Sequence, residues 1–199
     1  MKIDKEAAMK KKIFLVCFIC LVSGCSTAFH EDLINTQEET LRERLPQQKF
    51  TYPYKGSSRT DVGYLKRSTN QNYTLYVLEG YEFTEEEPRK DVIYNKKNDA
   101  LWMRIEVFPS NKSVEELNKE TKEILRAGFS EVTSLDTHLI HHNLEIEAAY
   151  EASDDKSNAY GFLVRKQNHQ PTFRLTIFAP KSERELTPFL EMAKTLQNT

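Results

Sequence analysis

The chain has 199 residues, with 28 Lys+Arg against 30 Asp+Glu, 39% apolar residues, six glycines and three cysteines. That charge balance argues against a nucleic-acid partner, which needs clustered positive charge to displace counterions. The length past any leader suffices for one domain with its own apolar core.

The first element is Lys10-Lys11-Lys12 followed by the uncharged run Ile13 to Val22 and then Ser23-Gly24-Cys25-Ser26. Ten apolar residues are too few to cross a bilayer core, which takes about 20 in a helix. A basic start, a short apolar run and small residues before a cysteine therefore read as an export signal over residues 1–24. Met9 is a plausible translation start, because the lysine triplet then follows it directly. Cys17, Cys20 and Cys25 lie in or just after the apolar run, and none occurs from Ser26 to Thr199. An exported domain usually pairs its cysteines or has none, so a lone Cys25 points to modification. Val22-Ser23-Gly24-Cys25 resembles the lipobox of bacterial lipoproteins. The resemblance implies a diacylglyceryl thioether on the Cys25 sulfur and an acyl group, commonly palmitate, on its new amine. It implies a lipid anchor in the cell membrane on the extracytoplasmic face, with the outer membrane as destination if the host has two membranes. The leader carries five lysines and two acids, which leaves 23 basic against 28 acidic residues beyond it. A net charge of −5 argues against a peripheral grip on anionic lipid heads.

Residues 25–70 read as the lipidated N-terminus and a polar tether, and residues 71–199 as a globular domain. Leu33, Gln37, Leu41 and Leu45 could line a short helix that Pro46 stops, but the stripe is thin. A tether of about 45 flexible residues reaches about 35 to 40 Å root-mean-square. Its aromatic island, Phe50-Thr51-Tyr52-Pro53-Tyr54, either docks on the domain's own sheet edge or forms a partner-binding strand, with Tyr52 and Tyr54 as contacts.

The domain opens with strand alternation at Tyr73, Leu75 and Val77, then a solvated loop at Glu85-Glu86-Glu87-Pro88 and a short strand over Asp91–Asn95. In the next strand Leu101, Met103, Ile105 and Val107 face one way, and Trp102, Arg104, Glu106 and Phe108 the other. Ser113-Val114-Glu115-Glu116 is a capping box, opening a helix with Val114, Leu117, Ile124 and Leu125 on one face and Gly128 at its end. After an irregular stretch, three antiparallel strands follow. Leu144, Ile146, Ala148 and Tyr150 share a face of the first; Tyr160, Phe162 and Val164 mark the second and Phe173, Leu175 and Ile177 the third. The closing helix carries Leu186, Phe189, Leu190, Ala193 and Leu196. It starts either at Ser182 with Glu185 as a capping box, or at Thr187 with Pro188 in the first position.

Three strands, a helix, three strands and a helix suit an α+β fold, an antiparallel β-sheet with packed helices. The order resembles the PsbP-like fold of photosystem extrinsic subunits, small Ran-binding proteins and many bacterial lipoproteins. Leu78-Glu79-Gly80-Tyr81-Glu82-Phe83, the Met103-to-Phe108 strand running into the Ser113 helix, and the Phe173-to-Pro180 strand before the last helix carry the resemblance over residues 72–197. It carries over no binding residue.

His138, His141 and His142 form the chain's one histidine cluster. They read as solvated or structural residues, or alternatively as a metal or small-ligand site, which would need further ligands. No Gly-x-Ser-x-Gly elbow, phosphate-binding glycine loop or HExxH occurs. Glu145, Glu147 and Glu151 match a strand wet on one side, and Asp154-Asp155 a hairpin loop. Trp102 is either core, if helices cover both sheet faces, or a partner surface. The expectation is a non-catalytic lipoprotein without a cofactor. It binds another cell-envelope protein or, in a second reading, regulates a membrane complex.

Overall fold

In the computed structural model, which describes residues 44–140, 144–165 and 171–199, the first turn is Lys55-Gly56. Both residues have positive φ, 49° and 79°, the backbone of a two-residue type I′ hairpin, and glycine adopts it without a steric penalty. The turn joins β1 (Gln47–Tyr54) to β2 (Ser57–Ser68), paired in register from Gln47 opposite Tyr64 to Tyr54 opposite Ser57. The tether expectation is thus corrected from residue 47 onward: the compact unit runs from Leu45 to Thr199. The physical reason is that Phe50 and Tyr52 alternate into the core, 9% and 2% exposed. β2 gave little signal, because although paired on both edges it buries only Gly63 and Ser68. Of the two readings of the aromatic island, docking on the domain's own sheet is the one observed.

β2 pairs with β3 (Tyr73–Leu78), whose far edge takes the short β11 (Gln197–Asn198), completing a four-stranded antiparallel sheet. The chain then turns through Glu79-Gly80 into a second antiparallel sheet of seven strands. Its order is β4 (Tyr81–Glu87), β5 (Lys90–Asn95), β6 (Asn98–Phe108), β10 (Thr172–Pro180), β9 (Ser157–Val164), β8 (Ile146–Ser153) and β7 (Glu131–Ser134). The three glutamates expected in a loop belong to β4, an edge strand, where charge discourages pairing with another chain. β7, the opposite edge, occupies the stretch expected to be irregular.

With helices α1 (Val114–Gly128) and α2 (Thr187–Lys194), the architecture is an α+β fold with an antiparallel sheet and two helices among the described residues. The core lies on the face of the larger sheet that carries Ile93, Leu101, Met103, Ile105, Leu175 and Ile177, which meets β3 and α2. Tyr73 packs edge-on against Phe173, and Tyr81 against Phe189. A buried polar network ties β3 to the larger sheet. Gln71 Nε2 donates to Asp91 Oδ2 at 2.6 Å, Tyr73 Oη donates to the same oxygen at 2.7 Å, and Gln71 Oε1 accepts from Val107 N at 2.9 Å.

α1 covers β7, β8 and β9 on the opposite face. Ser113 Oγ accepts from Glu116 N, as the capping box predicts, while its hydroxyl donates to the Glu115 carboxylate. Leu117, Thr121 and Leu125 are the buried stripe; Ile124, expected with them, is 48% exposed. Gly161 lies beneath: a Cβ there would stand 3.0 Å from Thr121 Cγ2, so the helix approaches this closely only over glycine. A bulge between Ile146 and Ala148 on β8 breaks the single apolar face expected there. Ile146 packs on the main core, whereas Ala148 and Tyr150 turn toward α1.

α2 starts at Thr187 with Pro188 in its first turn, and Leu186 occupies the cap position without a side-chain bond. Glu185 does that work instead, accepting from Thr187 N at 3.1 Å and also from Lys55 N at 3.2 Å. The carboxylate so joins the hairpin turn to the helix start. Burial raises its pKa, but bonds from the Thr187 hydroxyl and these amides hold it below the ordinary carboxylate range.

Phe50→Ala should cost about 3 kcal/mol in urea unfolding, a loss that no tether residue would show. Because the folded state holds Glu185 more acidic than the unfolded chain does, its contribution is present above the unfolded pKa and disappears as pH falls through the folded one. Urea midpoints measured from pH 7 down to 3 should therefore fall more steeply below about pH 4.5 for the native chain than for Glu185→Gln.

Candidate functional site

The β-register places Tyr94 of β5 and Phe178 of β10 directly beside Trp102 of β6, on the sheet face away from the main core. α1 does not reach this part of the face, so the indole is neither fully covered nor free. It stacks on Phe178 with ring centroids 4.0 Å apart and planes inclined by 16°, and the Arg104 guanidinium lies 5.2 Å from its centroid. Arg104 Nε is buried without a hydrogen-bond partner, and Nη2 stands 3.9 Å from Glu86 Oε2. Glu86, Val92, Tyr94, Asp99, Trp102 and Arg104 line an open groove of about 350 Å³. Burial and the Glu82 carboxylate raise the Tyr94 phenol pKa, so Tyr94 is a neutral hydroxyl at physiological pH. Two carboxylates, a guanidinium and an aromatic floor can hold a ligand by stacking and charge-assisted hydrogen bonds. The lining has no Ser, Thr, Cys or His to act as a nucleophile or a near-neutral base.

Of the residues singled out from sequence, Trp102 alone sits in this groove. Tyr52 and Tyr54 belong to the other sheet. Tyr52 is buried, donates its hydroxyl to Asp61 and is held far above its ordinary pKa by burial and that bond, which corrects its assignment to a partner surface. Tyr54 is half-buried, with the Arg59 guanidinium 4.8 Å from its ring centroid. Arg59 also pairs with Asp61 at 2.7 Å. His138 is exposed on a 3-10 turn capped by Asp136. His141, His142 and Cys25 lie outside the described residues. Among the described residues no group of three His, Cys, Asp or Glu could hold a metal.

The groove's other members escaped sequence reasoning. The alternation on β6 put Arg104 beside Trp102, but Tyr94 and Glu86 come from neighbouring strands whose register the pattern does not specify. Toward α1 the same face carries a buried ion pair. Arg174 Nε and Nη2 each reach Glu106 at 2.8 Å, and Nη1 lies 3.7 Å from Glu120 of the helix.

A sequence profile for the family described as Domain of unknown function (DUF8580) matches residues 44–196. The chain belongs to that family. The match starts within one residue of the compact unit. No curated protein matches the chain. Among solved structures it is similar to a Bacteroides thetaiotaomicron protein, at 12% identity and a TM-score of 0.44, over 68% of this chain and 48% of that one. It is also similar to the Saccharomyces cerevisiae Ran-binding protein Mog1p, at 11% identity and a TM-score of 0.48, over 68% and 95%. This chain thus spans about half the length of the Bacteroides protein.

Trp102 is the chain's single tryptophan and reports on the groove directly. Phe178→Ala should shift its emission to longer wavelength, raise acrylamide quenching, and cost about 1 kcal/mol or more through the lost stack.

Proposed function

We propose that this protein is a lipid-anchored extracytoplasmic binding module, without catalytic activity, that uses the groove around Trp102 to hold another cell-envelope component. The observation that carries the anchor is the confinement of all three cysteines to the leader and its junction, with Cys25 directly after Val22-Ser23-Gly24. The groove supports the binding role, because its aromatic floor and mixed charges suit a partner and its lining has no Ser, Thr, Cys or His. Within the α+β architecture, the order of elements supports the finer PsbP-like reading.

Nineteen residues separate Cys25 from Leu45, where the compact unit starts. Fully extended they span at most about 65 Å, against about 150 Å for 45 residues, so the spacer is shorter than a tether to residue 70 implied. Two or three acyl chains on one cysteine make such an anchor effectively permanent, since one chain alone holds marginally.

Cells fed a clickable fatty acid should label the full-length chain and carry it in the membrane fraction, and Cys25→Ala should abolish both. A native chain that stays unlabelled and soluble overturns the anchor. A photocrosslinker at position 94 should capture an envelope protein and lose it in Trp102→Ala, while unchanged capture overturns the groove's role.

A further inference from the structure

The formal charge of −5 beyond the leader hides a segregation. From Arg44 to Leu78 the chain carries six basic residues and one acid, Asp61; from Glu79 to Thr199 it carries 16 basic residues and 22 acids. The basic share is concentrated on the β1–β2 hairpin. Its two faces carry different cations. On one, Arg59 pairs with Asp61, Lys55 of the turn reaches Glu183 at 3.4 Å, and Arg67 is exposed. On the other, the register sets Lys49 opposite Val62 and Gln47 opposite Tyr64, with Lys66 two residues further along β2. Thr51 and Thr60 meet across this face at 2.9 Å. Lys49 and Lys66 are exposed and have no carboxylate partner among the described residues. Tyr64 is 43% exposed, and Leu45, at the hairpin's entry, is 70% exposed. Leu45 is held there by its backbone, because its carbonyl accepts from Tyr76 Oη at 2.8 Å.

We infer that this hairpin face rests on an anionic lipid surface. Unpaired lysines are drawn to acidic headgroups, tyrosine partitions into the headgroup zone, and an exposed leucine beside them adds apolar contact. The face carries no acid of its own that would be repelled. Chain connectivity selects the occupant: Leu45 follows Cys25 by 20 residues, so a bilayer holding that cysteine meets the hairpin at high effective concentration. The inference rests on the anchored reading for its setting in the cell, but its test does not.

The chain from Cys25 onward contains the whole compact unit and no other cysteine. It can be coupled through that thiol to a maleimide lipid, in vesicles of phosphatidylcholine alone or mixed with phosphatidylglycerol. Amine acetylation read by mass spectrometry should slow at Lys49 and Lys66 by about threefold or more on the mixed vesicles, and the slowing should fade at high salt. Lys119, 79% exposed on α1, should react equally on both. Replacing Tyr64 and Leu45 by serine should weaken the slowing without removing it. Equal rates at Lys49 and Lys66 on both vesicles, or equal slowing at Lys119, overturns the proposal. Protection of these lysines in intact cells but not on vesicles assigns the face to a protein and overturns it too. An unlabelled Cys25 in cells would sink the anchor and leave the vesicle result standing.

Discussion

A strand with all six side chains buried must find partners for two faces and two edges, because no water is available to satisfy what its neighbours leave open. β3 meets that demand with four elements. β2 takes one edge, and β11 takes the other at Thr74 and Tyr73. Beyond β11, Tyr76 N donates to Thr195 Oγ1 at 2.8 Å, just past the end of α2, and Leu78 N to Met192 Sδ at 3.4 Å. Tyr73 reaches Asp91 across the core. The hairpin is therefore not an appendage. Without β2 an edge of the most buried strand would lie open, and this is why the folded unit begins at Leu45.

The larger sheet has the converse problem, too much outer face for one helix. α1 covers β7 to β9, where Gly161 and the small side chains of Ala152 and Ala159 let it sit close. Arg174 and Glu106 stand near the limit of that cover. Their bidentate pair offsets the desolvation of two charges only because both guanidinium bonds are short and Phe108 packs beside them, 4.8 Å from ring centroid to guanidinium carbon. Past this pair no helix among the described residues covers the sheet, and aromatic stacking takes over. Trp102 on Phe178 shields apolar surface that would otherwise face water, and the flanking charges keep the exposed patch small. The groove is thus where helical cover ends among the described residues, and its chemistry follows from how the sheet meets water there.

Strong periodicity was legible in the sequence and weak periodicity was not. β6 and α1 each bury a regular stripe, and β9 and β10, buried on both faces, still alternate large apolar residues, so alternation or a capping serine located them. β4 and β7 are sheet edges, and β2, though paired on both sides, buries only Gly63 and Ser68, so their sequences look like loops. The Lys55-Gly56 turn was the missed clue, since a lysine-glycine pair between Tyr54 and Ser57 can close a two-residue hairpin. The β8 bulge defeated the face assignment by shifting the period at Glu147. For the site, the sequence singled out Trp102 but not its neighbours. Which strands flank β6, and in what register, depends on the assembled core rather than on any local pattern.

Including the hairpin in the fold changes what an anchor at Cys25 can do. Two lysines and a tyrosine attract a free protein to a membrane only weakly, since each exposed cation adds about 1 kcal/mol near an acidic surface. For a domain already tethered by acyl chains, the translational cost of reaching that surface is no longer set by the face itself. The same weak interaction then acts on orientation rather than on recruitment. A groove on one sheet face would benefit from this, because the proposed envelope partner would engage it only when the domain presents that face repeatedly. Under the proposed anchoring, strength comes from the lipid, orientation from the hairpin and selectivity from the Trp102 groove. Charge segregation within an acidic chain allows the second without compromising the third.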